Sequence, residues 1–170
     1  MRELTPSLRP PSYHLPTPQT LLLHIMQKVT TITNDTWFQD AKVEAPNFKT
    51  PQLTTMTMES TYKGDMEGVS VGCYVMAAYN TPVAEGKQPE DWTFAGVATF
   101  EGTVLGKKGT FAVQCIGKVL DGWSEAENTI VEGTGTGELA GLSGRGGFKF
   151  KIPTDGCPKD MPVEWEIEFK

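Results

Sequence analysis

Three side chains within strand-like segments could do chemistry on a bound molecule: the carboxylate of Glu59, the phenol of Tyr74 and the thiol of Cys115. A carboxylate that faces an apolar interior has a raised pKa, which suits it to act as a general acid or base. A buried phenol can hydrogen-bond a ligand carbonyl and stabilise negative charge that develops on it. We therefore take these three residues as the candidate catalytic groups.

Each of the three residues also has a purely structural interpretation. Glu59 lies among threonines and would face solvent if one face of its strand is wet. Tyr74 would pack in the core. Cys115, between Val113 and Gly117 on one face of a strand, would be a small buried hydrophobe, since no nearby cation in the sequence would lower its thiol pKa. The residue pattern alone leaves these alternatives open.

The positions of the histidines exclude several classes of enzyme. Both of them, His14 and His24, lie within the first 25 residues. A Ser-His-Asp triad, a His-ligated metal and an imidazole acid–base pair all need a histidine that residues 26–170 do not contain. The three cysteines are too dispersed for a metal-binding pair or a disulfide framework. We therefore expect neither a metal nor a cofactor.

Length and charge restrict the partners of the chain. Its 170 residues are enough for one domain with one core. The net charge is −6, and the basic residues are scattered rather than clustered, which argues against nucleic acid. The sequence contains no run of about 18 apolar residues that would span a bilayer, and its N-terminal apolar stretch is too short for a signal peptide. We expect a cytoplasmic protein that binds neither nucleic acid nor membrane.

The dominant pattern after residue 25 is an alternation of side chains with a period of two residues. In one such segment, Trp92, Phe94 and Phe100 occupy alternate positions. Turn residues such as Asp121 and Gly122 separate about eight segments of this kind, one of them expected near residues 29–33 and another near residues 128–139. We predict an all-β fold, a closed eight-stranded antiparallel barrel, with a sandwich as the alternative.

The N-terminal segment differs from the rest of the chain. Residues 1–25 contain five prolines and follow neither a strand nor a helix period. We expect them to form a mobile, Pro-rich extension, and residues 26–170 to form the barrel domain.

The glycine-rich stretch at residues 133–148, "GTGTGELAGLSGRGGF", matches a Gly-x-Gly-x-x-Ala nucleotide-binding pattern that begins at Gly135. Such a pattern binds a pyrophosphate only when a helix follows it. Here further glycines follow, and then Phe148 and Phe150 alternate with lysines, which is typical of a strand. We predict that these glycines serve corners and bulges of a curved sheet.

Three blocks of the sequence resemble a family of small uncharacterised proteins in the allene oxide cyclase-like barrel superfamily. They are "TYKGDMEGVS" at residues 61–70, "FAGVATFEGTVLGKKGTFAVQ" at 94–114, and the glycine-rich stretch at 133–148. The resemblance implies an eight-stranded barrel that is often oligomeric and has an internal cavity. Related barrels include cyclases that act on oxylipins and polyketides.

The chain departs from that family at three positions expected to face the lumen. Ala98 stands where the family usually has glutamate, Cys115 where it commonly has histidine, and Asn128 where it has an aromatic residue. These changes suggest a reshaped cavity with its own ligand, although drift in a cavity without chemistry would look the same.

The sequence and the resemblance together favour a cofactor-independent cyclase or isomerase that acts on a small apolar natural-product intermediate in the barrel lumen. The alternatives are a carrier of such a ligand without chemistry and a barrel packed solid, whose role is oligomerisation. Residues 80–91 are the candidate lid. The residues expected to line the lumen are Met76, Phe94, Ala98, Phe100, Phe111, Val113, Asn128 and Trp165.

Overall fold

The computed structural model describes residues 25–43, 52–79, 91–153 and 158–170. Residues 1–24 of the expected extension and residues 80–90 of the candidate lid lie outside the described residues. The described chain forms eight strands and one short 3₁₀ helix. The strands are β1 (Gln27–Val43), β2 (Gln52–Gly64), β3 (Met66–Tyr79), β4 (Asp91–Val104), β5 (Lys107–Leu120), β6 (Trp123–Ile130), β7 (Leu142–Lys151) and β8 (Met161–Phe169), and the 3₁₀ helix is Gly137–Leu139.

The strands form one closed barrel in chain order, which confirms the predicted fold. Each strand pairs antiparallel with the next, and β8 pairs with β1 from Gln27↔Ile167 to Thr33↔Met161. Closure gives each of the eight strands a hydrogen-bonded neighbour on both sides along part of its length. All inward side chains therefore share one interior.

The alternation along each strand sorts its side chains between this interior and the solvent. In β4, Trp92, Phe94, Ala98 and Phe100 are buried, while Thr93 and the other residues between them are more exposed. The same alternation runs through β5, β6 and β8. Inward residues lie in two apolar clusters, one at each end of the barrel.

The strand expected at residues 128–139 has the wrong bounds. β6 begins at Trp123 and ends at Ile130, and the chain then leaves the sheet. The Thr134 hydroxyl donates a hydrogen bond to the Val131 carbonyl at 2.6 Å, and Gly133 has a φ of +79°, a left-handed conformation that favours glycine. This local turn replaces the expected continuation of the strand.

The glycine-rich stretch closes one end of the barrel. The backbone N–H groups of Thr110 and Ala112 donate hydrogen bonds to the hydroxyls of Thr136 and Thr134 at 3.1 and 3.0 Å, which ties the loop to β5. A Cβ at Gly109 would collide with the Thr136 carbonyl oxygen, so this close approach needs glycine. The stretch is thus a corner followed by a strand, as predicted.

Leu139, from the 3₁₀ helix, closes this end with its side chain. It has no exposed surface and belongs to an apolar cluster with Val104, Phe111 and Leu142, all of them at most 2% exposed. A well-packed apolar residue at this place seals the barrel against water.

Leu139→Ala is expected to lower the free energy of unfolding by about 2–5 kcal/mol, because it removes buried apolar surface and leaves a cavity. Denaturant unfolding curves measure this loss. Leu120→Ala is the matched control: Leu120 is 42% exposed at the end of β5, and its truncation should cost less than about 1 kcal/mol. Equal losses in the two variants would show that Leu139 does not seal the barrel.

Candidate functional site

The barrel encloses a cavity of about 70 Å³ between its two apolar clusters. At ~10–15 Å³ for each water, this is space for roughly five to seven water molecules. Its wall is largely aromatic, with rings from Tyr62, Tyr74, Trp92, Phe94, Phe100, Phe111, Phe148, Phe150 and Trp165. Polar groups also reach it, from Thr33, Asp35, Ser70, Cys115, Ser124 and Asn128. The interior of this small barrel is therefore neither solid nor purely apolar.

Most residues expected to line the lumen lie on the cavity wall. These are Phe94, Ala98, Phe100, Phe111, Val113, Asn128 and Trp165. Met76 is also buried, at 5% exposed, and belongs to an apolar cluster with Tyr74 and Phe94, but it does not lie on the cavity wall. The structure thus places these side chains where a ligand could touch them, and their contact with a ligand stays a prediction.

Two of the three candidate catalytic residues meet in the lumen. Gly96 of β4 lies opposite Tyr74 of β3 on one side and opposite Cys115 of β5 on the other. Only this glycine therefore separates the two residues across the sheet. Asn128 follows in the same row, as the partner of Cys115 on β6. The row brings a phenol, a thiol and an amide to one level of the cavity.

Glu59 is not part of this group, which corrects its expected position. Met58 and Ser60 point inward from β2, so the residue between them points outward, and Glu59 is exposed. Its carboxylate cannot reach a molecule in the lumen.

The Tyr74 ring has room in the cavity because two neighbouring inward positions are glycines. A Cβ at Gly72 would come within 2.7 Å of the Tyr74 Oη atom, and a Cβ at Gly96 would collide with the other end of the ring. The ring therefore lies across both glycines, with its hydroxyl directed along β3 towards Ser70. These two glycines shape the cavity by admitting the aromatic ring.

Burial keeps the inward phenols and the inward thiol protonated. Desolvation raises the pKa of Tyr62 to about 12 and that of Cys115 to about 12, and it raises the pKa of Tyr74 further. At neutral pH the two tyrosines are thus neutral hydrogen-bonding groups. The Cys115 thiol is a poor nucleophile, since the thiolate is the reactive form.

The carboxylate that does reach the lumen is Asp35, which the sequence analysis missed. Asp35 lines the cavity, and its register partner on β2 is Ser60, which in turn pairs with Ser70 on β3. Val29, Thr31 and Thr33 are buried on β1, and Asp35 continues their alternation. The signal was present in the sequence, but the strand was expected to end at Thr33, whereas β1 runs to Val43.

Tyr62 is the second luminal group that the sequence analysis did not single out. Its ring packs edge-on against Phe100, with centroids 5.3 Å apart and an angle of 86° between the rings. Ser70 Oγ lies 3.5 Å from Tyr62 Oη, in position to donate a weak hydrogen bond. Tyr62 therefore holds its hydroxyl near the Asp35–Ser60–Ser70 row.

One further polar atom in the interior stands out. The Nε1 atom of Trp165 is buried and finds no hydrogen-bond partner among the described residues. A buried N–H without a partner costs about 1–3 kcal/mol, so it is uncommon in a fully packed core.

The described residues contain no group of three or more His, Cys, Asp and Glu side chains that could hold a metal ion. In the same part of the chain, no helix is long and apolar enough to cross a lipid bilayer.

Fold and cavity together define a small closed antiparallel β-barrel with a cavity of about 70 Å³ in its interior. The pattern of a protein family described as "Protein of unknown function (DUF3224)" matches residues 30–155, so the chain belongs to the DUF3224 family. No curated protein matches the sequence.

A solved structure of a DUF3224 protein from Shewanella oneidensis MR-1, also of unknown function, resembles the chain with a TM-score of 0.66 and 22% identity. The match covers 86% of this chain and 99% of the other. At this identity the likeness concerns the fold.

The burial of Cys115 predicts that its thiol reacts slowly. Two variants in a Cys157→Ser background test this: Cys73→Ser keeps only Cys115, and Cys115→Ser keeps only Cys73, whose thiol is exposed. Cys115 should react with a thiol reagent at least about a hundredfold more slowly than Cys73. Reagent absorbance at neutral pH measures both rates. Both proteins should react equally fast in denaturant, and equal rates in the native state would contradict the buried, protonated thiol.

Proposed function

We propose that the barrel binds a small, mostly apolar organic molecule in its lumen. The observation that carries this proposal is the cavity of about 70 Å³ with polar groups set into an aromatic wall. Protein interiors are close-packed, and voids larger than one water are few. An apolar wall with a few hydroxyls, an amide and a carboxylate matches the usual composition of a ligand site. The volume is well below the ~300–1,000 Å³ of sites for drug-sized ligands, so the ligand must be small.

The volume limits the size of the ligand. Space for roughly five to seven waters holds a molecule of about one ring, with few substituents. Such a ligand has about eight non-hydrogen atoms, and binding in the millimolar to micromolar range is expected from ordinary ligand efficiencies. A long-chain molecule would need the barrel interior to rearrange.

A second candidate function is a cofactor-independent cyclase or isomerase, which the sequence resemblance to allene oxide cyclase-like barrels also suggests. Asp35 favours it, because this carboxylate shares the cavity with the neutral phenols of Tyr62 and Tyr74. The carboxylate could accept a proton from carbon next to a ligand carbonyl, while a phenol donates a hydrogen bond to the oxygen as it becomes an enolate. Catalysis by Cys115 as a nucleophile fits less well, given its raised pKa. Oligomer formation and a cytoplasmic location stay predictions of the sequence.

Ala98→Leu is expected to abolish binding in the lumen, because Ala98 lies on the cavity wall and three added carbon atoms would occupy the space. Benzyl alcohol is a suitable probe, being neutral and having one ring. Its binding should raise the unfolding temperature of the unaltered protein and change its tryptophan fluorescence. The variant should bind at least tenfold more weakly.

Ala95→Leu is the matched control, since Ala95 lies three residues away on the exposed face of β4. It should bind benzyl alcohol as the unaltered protein does. If Ala98→Leu binds as well as Ala95→Leu, the ligand does not occupy the lumen.

The enzymatic candidate is tested by hydrogen exchange on a small ketone. Cyclohexanone in deuterated water should exchange its α-hydrogens faster with the protein than with buffer, and Asp35→Asn and Tyr74→Phe should each slow this at least tenfold. Nuclear magnetic resonance follows the exchange. Asp121→Asn, in an exposed turn, is the control. Exchange at the buffer rate with the unaltered protein, or unchanged exchange in Asp35→Asn, would leave ligand binding as the function.

A further inference from the structure

We propose that the luminal ligand is a small neutral carbonyl compound, whose oxygen accepts a hydrogen bond from the indole N–H of Trp165. Trp165 is then the residue that distinguishes such a ligand from a hydrocarbon of the same shape. This inference rests on the proposed function, because it names the chemical class of the molecule that the same lumen would hold.

The first support is the Trp165 N–H itself. The residue lies on the cavity wall and is 2% exposed. Among the described residues, its Nε1 atom is the only buried side-chain nitrogen or oxygen without a hydrogen-bond partner. A donor removed from water in this way lowers the stability of the fold, and an acceptor that supplies the missing bond restores it. Because the indole lies inside a closed barrel, the space open to such an acceptor is the cavity.

The second support is the position of the indole ring beside a second donor. On β7, Gly146 pairs with both Trp165 of β8 and Asn128 of β6. A Cβ at Gly146 would collide with the Trp165 ring, so the ring extends across this glycine. The Asn128 amide, 8% exposed, follows in the same row on the cavity wall. The amide brings two further N–H donors to this level, and a carbonyl oxygen, with its two lone pairs, is an acceptor for two donors.

The third support is that further groups on the wall keep their protons. Burial raises the pKa of Tyr62 and of Cys115 to about 12, and it raises the pKa of Tyr74 further. Because Ser70 is in position to donate to the Tyr62 oxygen, the phenol proton of Tyr62 stays available to a ligand. The wall thus presents indole, amide, phenol and thiol donors. A ketone or aldehyde oxygen accepts from such groups and brings no proton of its own, whereas a hydrocarbon leaves them without a partner.

Two probes of nearly equal shape test the inference: cyclohexanone, and methylenecyclohexane, which has a CH₂ group in place of the carbonyl oxygen. Titration of the unaltered full chain is followed by heteronuclear magnetic resonance. Sequential assignment identifies the Trp165 signal among the indole N–H signals of the four tryptophans. Saturating cyclohexanone should move this proton signal downfield, because a hydrogen-bonded proton is deshielded, whereas methylenecyclohexane should not. Neither probe has an aromatic ring that would itself shift the signal.

Trp165→Phe is the decisive variant, because it keeps an aromatic ring and removes the N–H. It should reduce the affinity for cyclohexanone at least about fivefold and leave that for methylenecyclohexane unchanged within about twofold, which also shows that the lumen is intact. Trp92→Phe is the matched control. Trp92 lies on the same wall and is 6% exposed, so this variant loses an indole at the cavity but should change the affinity for both probes by the same factor.

The outcomes separate the two proposals. If cyclohexanone binds but leaves the Trp165 signal in place, or if Trp165→Phe weakens both probes equally, the carbonyl inference is wrong and luminal binding stands. If neither probe nor benzyl alcohol binds, the proposed function fails, and the carbonyl inference fails with it.

Discussion

The closure of the sheet between β1 and β8 is the constraint on which the rest of the structure depends. Once the tube is closed, every second residue of eight strands must fit into one interior of fixed width. Large aromatic rings from several strands therefore compete for the same space. The chain resolves this with inward glycines such as Gly72 and Gly96, which give the Tyr74 ring its place. The cavity is the space left by that arrangement.

The closed end of the tube and the cavity wall differ in their side chains. At one end, the glycine-rich loop and Leu139 complete a tightly packed apolar cluster, and this end contributes stability. On the cavity wall between the two apolar clusters, hydroxyls, a thiol, an amide and the Asp35 carboxylate lie among the apolar residues. Burying polar groups lowers the stability of the folded barrel relative to apolar residues in the same places. Their presence around an unfilled space is the physical reason to look for a ligand there.

Sequence periodicity predicted the barrel well, because β4, β5 and β8 alternate large apolar residues with polar ones. Periodicity also placed Glu59 on the face opposite Met58 and Ser60. In β2, however, methionines on one face alternate with threonines on the other, and this pattern did not show which face was buried. The full length of β1 was missed, because Asn34 and Asp35 are typical of turns, whereas their pairing with Thr61 and Ser60 of β2 overrides that local preference. For this reason, the sequence pattern did not identify Asp35 as a residue of the barrel interior. The cavity itself depends on contacts between strands that no single strand's pattern contains.

The central claim is that the closed barrel has an accessible, ligand-sized lumen, and a crystal structure of the protein under xenon pressure tests it most directly. Xenon enters apolar cavities of this size without needing any particular polar contact. We expect a xenon atom inside the barrel, in contact with Ala98 and the Tyr74 ring. Crystals in which side chains fill this space and no xenon binds within the barrel would contradict it.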